Sequence, residues 1–230
     1  MKKKRILAMI LAVASCLSLA VSASAASTAR KATDFRYFDK SAWYAEAVSA
    51  AVDNGLLYGK SATIIDPNGD MTRAEMAAII NRSFGCYKAA DISQYKDVAK
   101  SKWYYKDVAM AVQMGTYNGR SASSMAPDAP ISRQEAMTVV ARALELDYDS
   151  YSKTDLSTFS DRSEISNWAL PYVRAMVGAD YIHGRGKILA PQDDITRAEF
   201  AQIFHNIIGT YITAKGSYDK DIKGSVLIRT

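Results

Sequence analysis

The stretch Met71-Thr72-Arg73-Ala74-Glu75 ("MTRAE", 71–75) returns as "ISRQE" at 131–135 and as "ITRAE" at 195–199. Each copy reads apolar residue, Ser or Thr, Arg, a variable residue, Glu. Thr72, Ser132 and Thr196 suit helix N-cap positions, and Glu75, Glu135 and Glu199 follow three residues later. That spacing is a capping box, in which hydroxyl and carboxylate each satisfy a backbone N–H left open at a helix start. The pairs Met71/Met76, Ile131/Ala136 and Ile195/Phe200 occupy the flanking positions of a hydrophobic staple. Arg73, Arg133 and Arg197 are not explained by capping. They fall at the first helical position, where the helix dipole disfavours a cation by about a few tenths of a kcal/mol.

The motif is the clearest part of a longer repeat. Trp43, Trp103 and Trp168 are 60 and 65 residues apart, and the three arginines are 60 and 64 apart. Pro67, Pro127 and Pro191 keep the spacing of the arginines. Each Trp precedes a glycine (Gly59, Gly119, Gly184) by 16 residues. An aromatic-x-Asp triplet opens each unit, ending in Asp39, Asp97 and Asp161, with Phe38 disturbing the first alignment by one place. Apolar spacing predicts a helix near each Trp and a second helix over 72–84, 132–144 and 196–208. Gly55 and Gly115 read as left-handed stops for the first helices; Asp180 holds that position in the third unit and is less suited to positive φ. Pro171 is tolerable only in a first turn.

Composition and targeting signals bound the remainder. "MKKKR" followed by a 16-residue apolar run and Ala23-Ser24-Ala25 reads as a secretory signal peptide over 1–25. A looser lipoprotein-type box ends at Cys16. Four of the 29 basic residues and none of the 24 acidic ones lie in that leader, so the net charge of the rest is about +1 and gives no support for nucleic-acid binding. Outside the leader only Cys86 remains, which excludes an internal disulfide framework. No later apolar run is long enough to span a bilayer. The expected organisation is signal peptide 1–25, linker 26–36, repeats 37–86, 95–146 and 159–209, linkers 87–94 and 147–158, and a tail 210–230. "SVLIRT" in that tail resembles the first strand of a β-rich domain cut short. A single helix pair buries little surface, so the three units are expected to share one core.

Two readings of the arginines stand. One is a ligand contact, in which free N–H groups at a helix start and an adjacent guanidinium receive a carboxylate or phosphate. The other is an internal ion pair with the repeat's own Asp39, Asp97 or Asp161. The tryptophans read first as packing anchors and second as faces for a sugar. The loop glycines read first as positions of unusual backbone angle and second as points of close ligand approach.

Together, the aromatic-x-Asp, the Trp-initiated helix, "GLLYG", the Pro and "TRAE" resemble the S-layer homology module, in three copies covering residues 37–209. The resemblance implies a mainly α fold: three tandem helix-loop-helix repeats in a pseudo-threefold spindle around a central helical bundle. It further implies non-covalent anchoring at the bacterial surface through an anionic, often pyruvylated, secondary cell-wall polysaccharide, with peptidoglycan engaged indirectly and no cofactor or metal. The implied ligand-binding residues are Arg73, Arg133, Arg197, Trp43, Trp103, Trp168, Gly59, Gly119, Gly184, Asp39, Asp97 and Asp161. Three weak sites on a repeating polymer would give avidity. Gln134, Ser132, the Thr116-Tyr117-Asn118 run and Asp180 depart from the family pattern, which puts one or two grooves in doubt.

Other classes fit less well. Asp193-Asp194 are adjacent rather than convergent, and no nucleophile–base pattern accompanies His183 or His205. A wall-modifying enzyme that uses the repeats as its anchor remains the alternative. "DPNGD" (66–70) lacks the glycine and distal Glu of a calcium loop and reads as a turn.

Overall fold

The computed structural model describes residues 30–84 and 86–215, with side chains through residue 207. The signal peptide, Cys16, residues 26–29 and the "SVLIRT" segment lie outside the described residues. The described chain is mainly helical, without a sheet. Its six α-helices are α1 (Ala45–Asp53), α2 (Arg73–Phe84), α3 (Tyr105–Gln113), α4 (Arg133–Ala143), α5 (Leu170–Gly178) and α6 (Arg197–Lys215). They alternate as expected, a Trp-proximal helix and then a motif helix in each repeat. The last helix runs through Gly209 to Lys215, past its expected end at residue 208.

The contacts group into two compact units. In the one containing residues 30–69, 82–84 and 197–215, α1 packs on α6. Ala47, Val48 and Ala51 are buried on α1, and Phe200 and Phe204 on α6, their rings 4.8 Å apart. In the unit containing residues 70–81 and 86–196, α4 packs on α5 over a core that includes Met125, Met137, Val140, Met176 and Leu189.

The apolar first residues of the three motifs, Met71, Ile131 and Ile195, meet inside this second unit. The Met71 N–H donates to the Ile195 carbonyl, the Ile195 N–H to Ile131, and the Ile131 N–H to Met71, each at 3.0 Å. The three bonds close a ring, and all three residues are fully buried. Short antiparallel bridges extend it: Asp70 with Thr196, Thr72 with Pro130, Ser132 with Asp194. The first two capping boxes form as read. Glu75 N–H donates to Thr72 Oγ1 at 3.2 Å, and Thr72 N–H to Glu75 Oε2 at 3.0 Å. Ser132 and Glu135 repeat the arrangement.

The helix starts do not present free N–H groups, which corrects the anion-site reading. Arg73 and Ala74 donate their backbone N–H to Ala129 and Pro127, Arg133 and Gln134 to Asp193 and Pro191, and Arg197 and Ala198 to Gly69 and Pro67. Each motif is docked on the proline turn of another repeat, which explains the matching spacing of prolines and arginines. The stops behave as read: Gly55, Gly115 and Asp180 have φ of 67°, 77° and 63°. Pro171 sits in the first turn of α5. Gln134 is buried, donating to Ser166 Oγ and Gln192 and accepting from the Ser166 N–H. Its departure from the family pattern thus serves the entry to the third repeat.

The arginine side chains follow the same cyclic order. Arg73 Nε donates to Met125 O at 2.9 Å, Arg133 Nε to Leu189 O at 2.8 Å, and Arg197 Nε to Ile65 O at 3.0 Å. Arg73 also reaches Asn118 O and Glu135, and Arg197 reaches Tyr58 O. All three arginines are at most 5% exposed. Carbonyl oxygens and a carboxylate thus offset the dipole penalty at the first helical position.

Arg73→Ala strands these buried acceptors and should cost about 3–5 kcal/mol in urea unfolding. Arg120→Ala, at a partly exposed ion pair, should cost under ~1 kcal/mol. Gly119→Ala should cost about 1–3 kcal/mol. An added Cβ there would lie 2.4 Å from the Tyr95 ring and 2.5 Å from Ser121 O.

Candidate functional site

Asp97 and Asp161 do not pair with the motif arginines, which corrects the internal ion-pair reading. Asp97 accepts the N–H groups of Met125 and Ala126 and the Ser124 hydroxyl. Burial pushes its carboxyl up, but those hydrogen bonds more than offset it and hold it below the usual carboxylate range. Asp161 accepts from Leu189 and Ala190 in the same way. The carboxylates fix the very loops whose carbonyls receive Arg73 and Arg133.

Asp39 is not the first repeat's counterpart. Its carboxylate accepts from Ser41, whose side-chain hydroxyl and backbone N–H hold its carboxyl below the usual range. The structural register is set by Arg36 N–H on Thr63 O, matching Lys96 on Ser123 and Ser160 on Lys187. Phe35 therefore aligns with Tyr95 and Phe159, and Tyr37 with the two aspartates. Distance to the arginine carried this signal: Tyr37, Asp97 and Asp161 each lie 36 residues before it.

The tryptophans are not packing anchors. Trp43, Trp103 and Trp168 are 62%, 62% and 52% exposed. The residue after each, Tyr44, Tyr104 or Ala169, is buried instead. The helix begins only past the Trp, so the ring faces outward before the amphipathic register starts. Trp43 and Trp103 rest edge-on against Tyr44 and Tyr104, with centroids 5.6 and 5.4 Å apart. The glycines also divide. Gly184 has φ of 75°, whereas Gly59 and Gly119 lie outside the positive-φ region. All three are needed because the opening aromatic packs where a Cβ would be: Phe35, Tyr95 and Phe159 at 2.5, 2.4 and 2.7 Å.

A groove of about 550 Å³ lies in the unit that holds the ring. It combines residues of all three repeats. Arg73 comes from the first, the loop Thr116–Arg120 and the α4 face of Glu135, Thr138 and Arg142 from the second, and Trp168 from the third. Of the residues expected at a site, it brings together Arg73, Gly119 and Trp168, while Asp97 does not line it.

Arg73 forms part of the wall but is held by carbonyls. Its guanidinium stacks over Tyr117, centroid 5.2 Å away, and the Tyr117 hydroxyl donates to Arg73 O at 2.9 Å. Burial pushes the Tyr117 phenol far up, Arg73 opposes that, and Glu135 adds to it, so the group stays a neutral donor. Glu135 is shared: Oε1 receives Arg73 at 3.1 Å and Oε2 receives Arg120 at 3.1 Å, while its cap bond to the Ser132 N–H persists. Arg120 is the accessible cation, its side chain 44% exposed. Arg142 lies over the Tyr172 ring, 4.9 Å from its centroid. Two guanidinium groups thus hold one carboxylate, and Arg142 and an exposed indole line the same groove.

Arg120 and Arg142 were missed in the sequence. A signal for Arg120 exists, because a cation follows every loop glycine: Lys60, Arg120 and Arg185. Among the described residues, no cluster of His, Cys, Asp and Glu is placed to hold a metal, and no helix is long and apolar enough to cross a membrane.

Comparison with known proteins agrees with this architecture. The S-layer homology domain profile matches residues 38–77, 94–137 and 158–201. The chain is 34% identical over 200 residues to the surface-layer 125 kDa protein of Lysinibacillus sphaericus, covering 85% of this chain and 17% of that protein. It is 27% identical over 172 residues to an amylopullulanase of Thermoanaerobacterium thermosulfurigenes, covering 74% of this chain and 9% of that enzyme. The same identity and length relate it to the exoglucanase XynX of Acetivibrio thermocellus, covering 74% and 16%. The chain therefore spans less than a fifth of the length of these relatives. It belongs to the S-layer homology domain family, as three tandem modules of the kind that mediates anchoring to the cell wall.

Proposed function

We propose that these repeats hold a secreted protein at the bacterial surface by binding an anionic secondary cell-wall polysaccharide, with a pyruvyl carboxylate as the group recognised. The observation that carries this reading is the groove's charge balance: Arg120, Arg73 and Arg142 line it with one carboxylate, and Arg120 is exposed where Arg73 is buried. A carboxylate on a sugar can take Arg120 in competition with Glu135, while Glu135 keeps Arg73 as its partner. The sugar ring then has the Trp168 face available. Asp39, Asp97 and Asp161 are assigned no direct ligand role. Peptidoglycan is engaged only through the polymer attached to it. The anchoring role extends equally to a surface-layer protein or to an enzyme carrying the same modules. Catalysis in the groove itself is not proposed, because Glu135, the single carboxylate lining it, is tied to two guanidinium groups and a backbone N–H.

The test is sedimentation with isolated wall sacculi, before and after chemical removal of the secondary polymer. Binding should be lost with the polymer and should weaken as salt rises, since exposed ionic contacts are screened. Arg120→Ala should lower affinity about 5–10-fold, the worth of one charge-assisted hydrogen bond at a wet site, with unfolding nearly unchanged. Equal binding to stripped peptidoglycan, or full binding by the Arg120 variant, contradicts the proposal.

A further inference from the structure

The loop that carries Arg120 also carries a chemically labile pair. Asn118-Gly119 is one of three Asn-Gly pairs in the chain, with Asn54-Gly55 and Asn68-Gly69. In such a pair the side-chain amide is open to attack by the next backbone nitrogen, because glycine has no Cβ to obstruct it. The fold demands Gly119, since the Tyr95 ring and the Ser121 and Ser124 carbonyls fill the space of a Cβ. The residue before the loop glycine is Tyr58 in the first repeat and His183 in the third, so the second repeat alone places Asn there.

The surroundings of Asn118 favour the attack. Its side chain is exposed in the groove wall and, among the described residues, carries no hydrogen bond. The Arg73 guanidinium donates to the Asn118 carbonyl at 3.1 Å. That carbonyl belongs to the amide that must give up its proton. The negative charge gathers on the carbonyl oxygen, where a fixed cation stabilises it. The Gly119 N–H donates to the Tyr95 hydroxyl at 3.3 Å, past the usual length of such a bond. The other two pairs are protected. Asn54 donates its amide to Ala50 O at 2.7 Å, and the Gly55 N–H donates to Val52 O at 2.9 Å. Asn68 is exposed, but the Asp66 carboxylate lies against Gly69 and opposes a second negative charge there.

We propose that Asn118 is a site of spontaneous deamidation, and that the carboxylate formed there competes for the groove's guanidinium groups. The Gly119 nitrogen attacks Asn118 Cγ, the bond from Cγ to Nδ2 breaks, and the leaving nitrogen takes the amide proton and departs as ammonia. Water then opens the cyclic imide. Opening at Cγ gives aspartate, with its carboxylate in the groove beside Arg120. Opening at the main-chain carbonyl gives isoaspartate, whose free carboxylate is the group that already faces Arg73. Either product adds a second carboxylate to a groove lined by three arginines and Glu135. The effect on anchoring rests on the polymer reading above; the modification itself does not.

The test is incubation of the full chain at rising pH, followed by peptide mass mapping and by sedimentation with wall sacculi. Asn118 should gain one mass unit ahead of Asn68 and Asn54, faster as pH rises. The converted chain should bind sacculi about 5–10-fold more weakly than the fresh chain, the worth of one charge-assisted contact. Asn118→Asp, which adds the charge without lengthening the backbone, should bind more weakly than wild type from the start. Asn118→Gln, which would have to close a larger ring, should bind equally before and after incubation. Conversion at Asn118 no faster than at Asn54 or Asn68 overturns the proposal. So does unchanged binding by the converted chain or by Asn118→Asp. A fresh chain that does not bind sacculi contradicts the polymer reading instead, and the order of conversion still decides this one.

Discussion

Three main-chain hydrogen bonds among Met71, Ile131 and Ile195 fix where everything else goes. They join residues 60, 64 and 124 positions apart in sequence, so the loop-closure cost is offset only by what the closed ring brings with it. It brings the helix starts that follow. Once Met71 is seated, Thr72 and Glu75 cap α2, the Arg73 and Ala74 N–H groups meet the Pro127–Ala129 turn, and the Arg73 side chain enters the loop beyond. The same steps recur from Ile131, and in the third motif the Arg197 and Ala198 N–H groups meet the Pro67–Gly69 turn. The repeated five-residue motif is therefore a docking device first. Its apolar residue makes the ring, its hydroxyl and carboxylate start a helix, and its arginine clamps a loop of another repeat.

This placement separates a structural role from a ligand-binding one, the two alternatives that the sequence left open for the motif arginine. A guanidinium bonded to two backbone carbonyls and a shared carboxylate is a structural cation with little surface left for a ligand. The cation free to exchange partners is the one on the loop, Arg120, which the clamp holds in position. A groove assembled from three repeats is also a reason for the repeats to occur together. No one repeat contains Arg73, the Thr116–Arg120 loop and Trp168.

Much of the fold was legible because it obeys short-range rules. The first two capping boxes, the left-handed stops, the early Pro171 and the helix order depend on residues within one turn of each other, and they stand as read. The groove was less legible because its members come from different repeats. Aligning repeats column by column gives equivalent residues, but neighbours in space come from different columns of different copies. The tryptophans show a related limit. Burial statistics favour a packed Trp, yet the helix starts past each one, and the adjacent Tyr44 and Tyr104 take the interior instead. Asp39 was misassigned because proximity to an aromatic outweighed distance to the arginine. Gly59 and Gly119 were credited with unusual angles when the requirement is contact with an aromatic ring over 20 residues away in sequence.

The ring is open to direct measurement through amide hydrogen exchange of the intact chain. If it is the constraint on which the motifs depend, the Met71, Ile131 and Ile195 amides open only when the unit unfolds. Their exchange free energies then equal one another and the unfolding free energy of that unit from denaturant titration. Exchange of these three amides at the rate of the exposed loop amides, or with three unrelated free energies, would contradict the account.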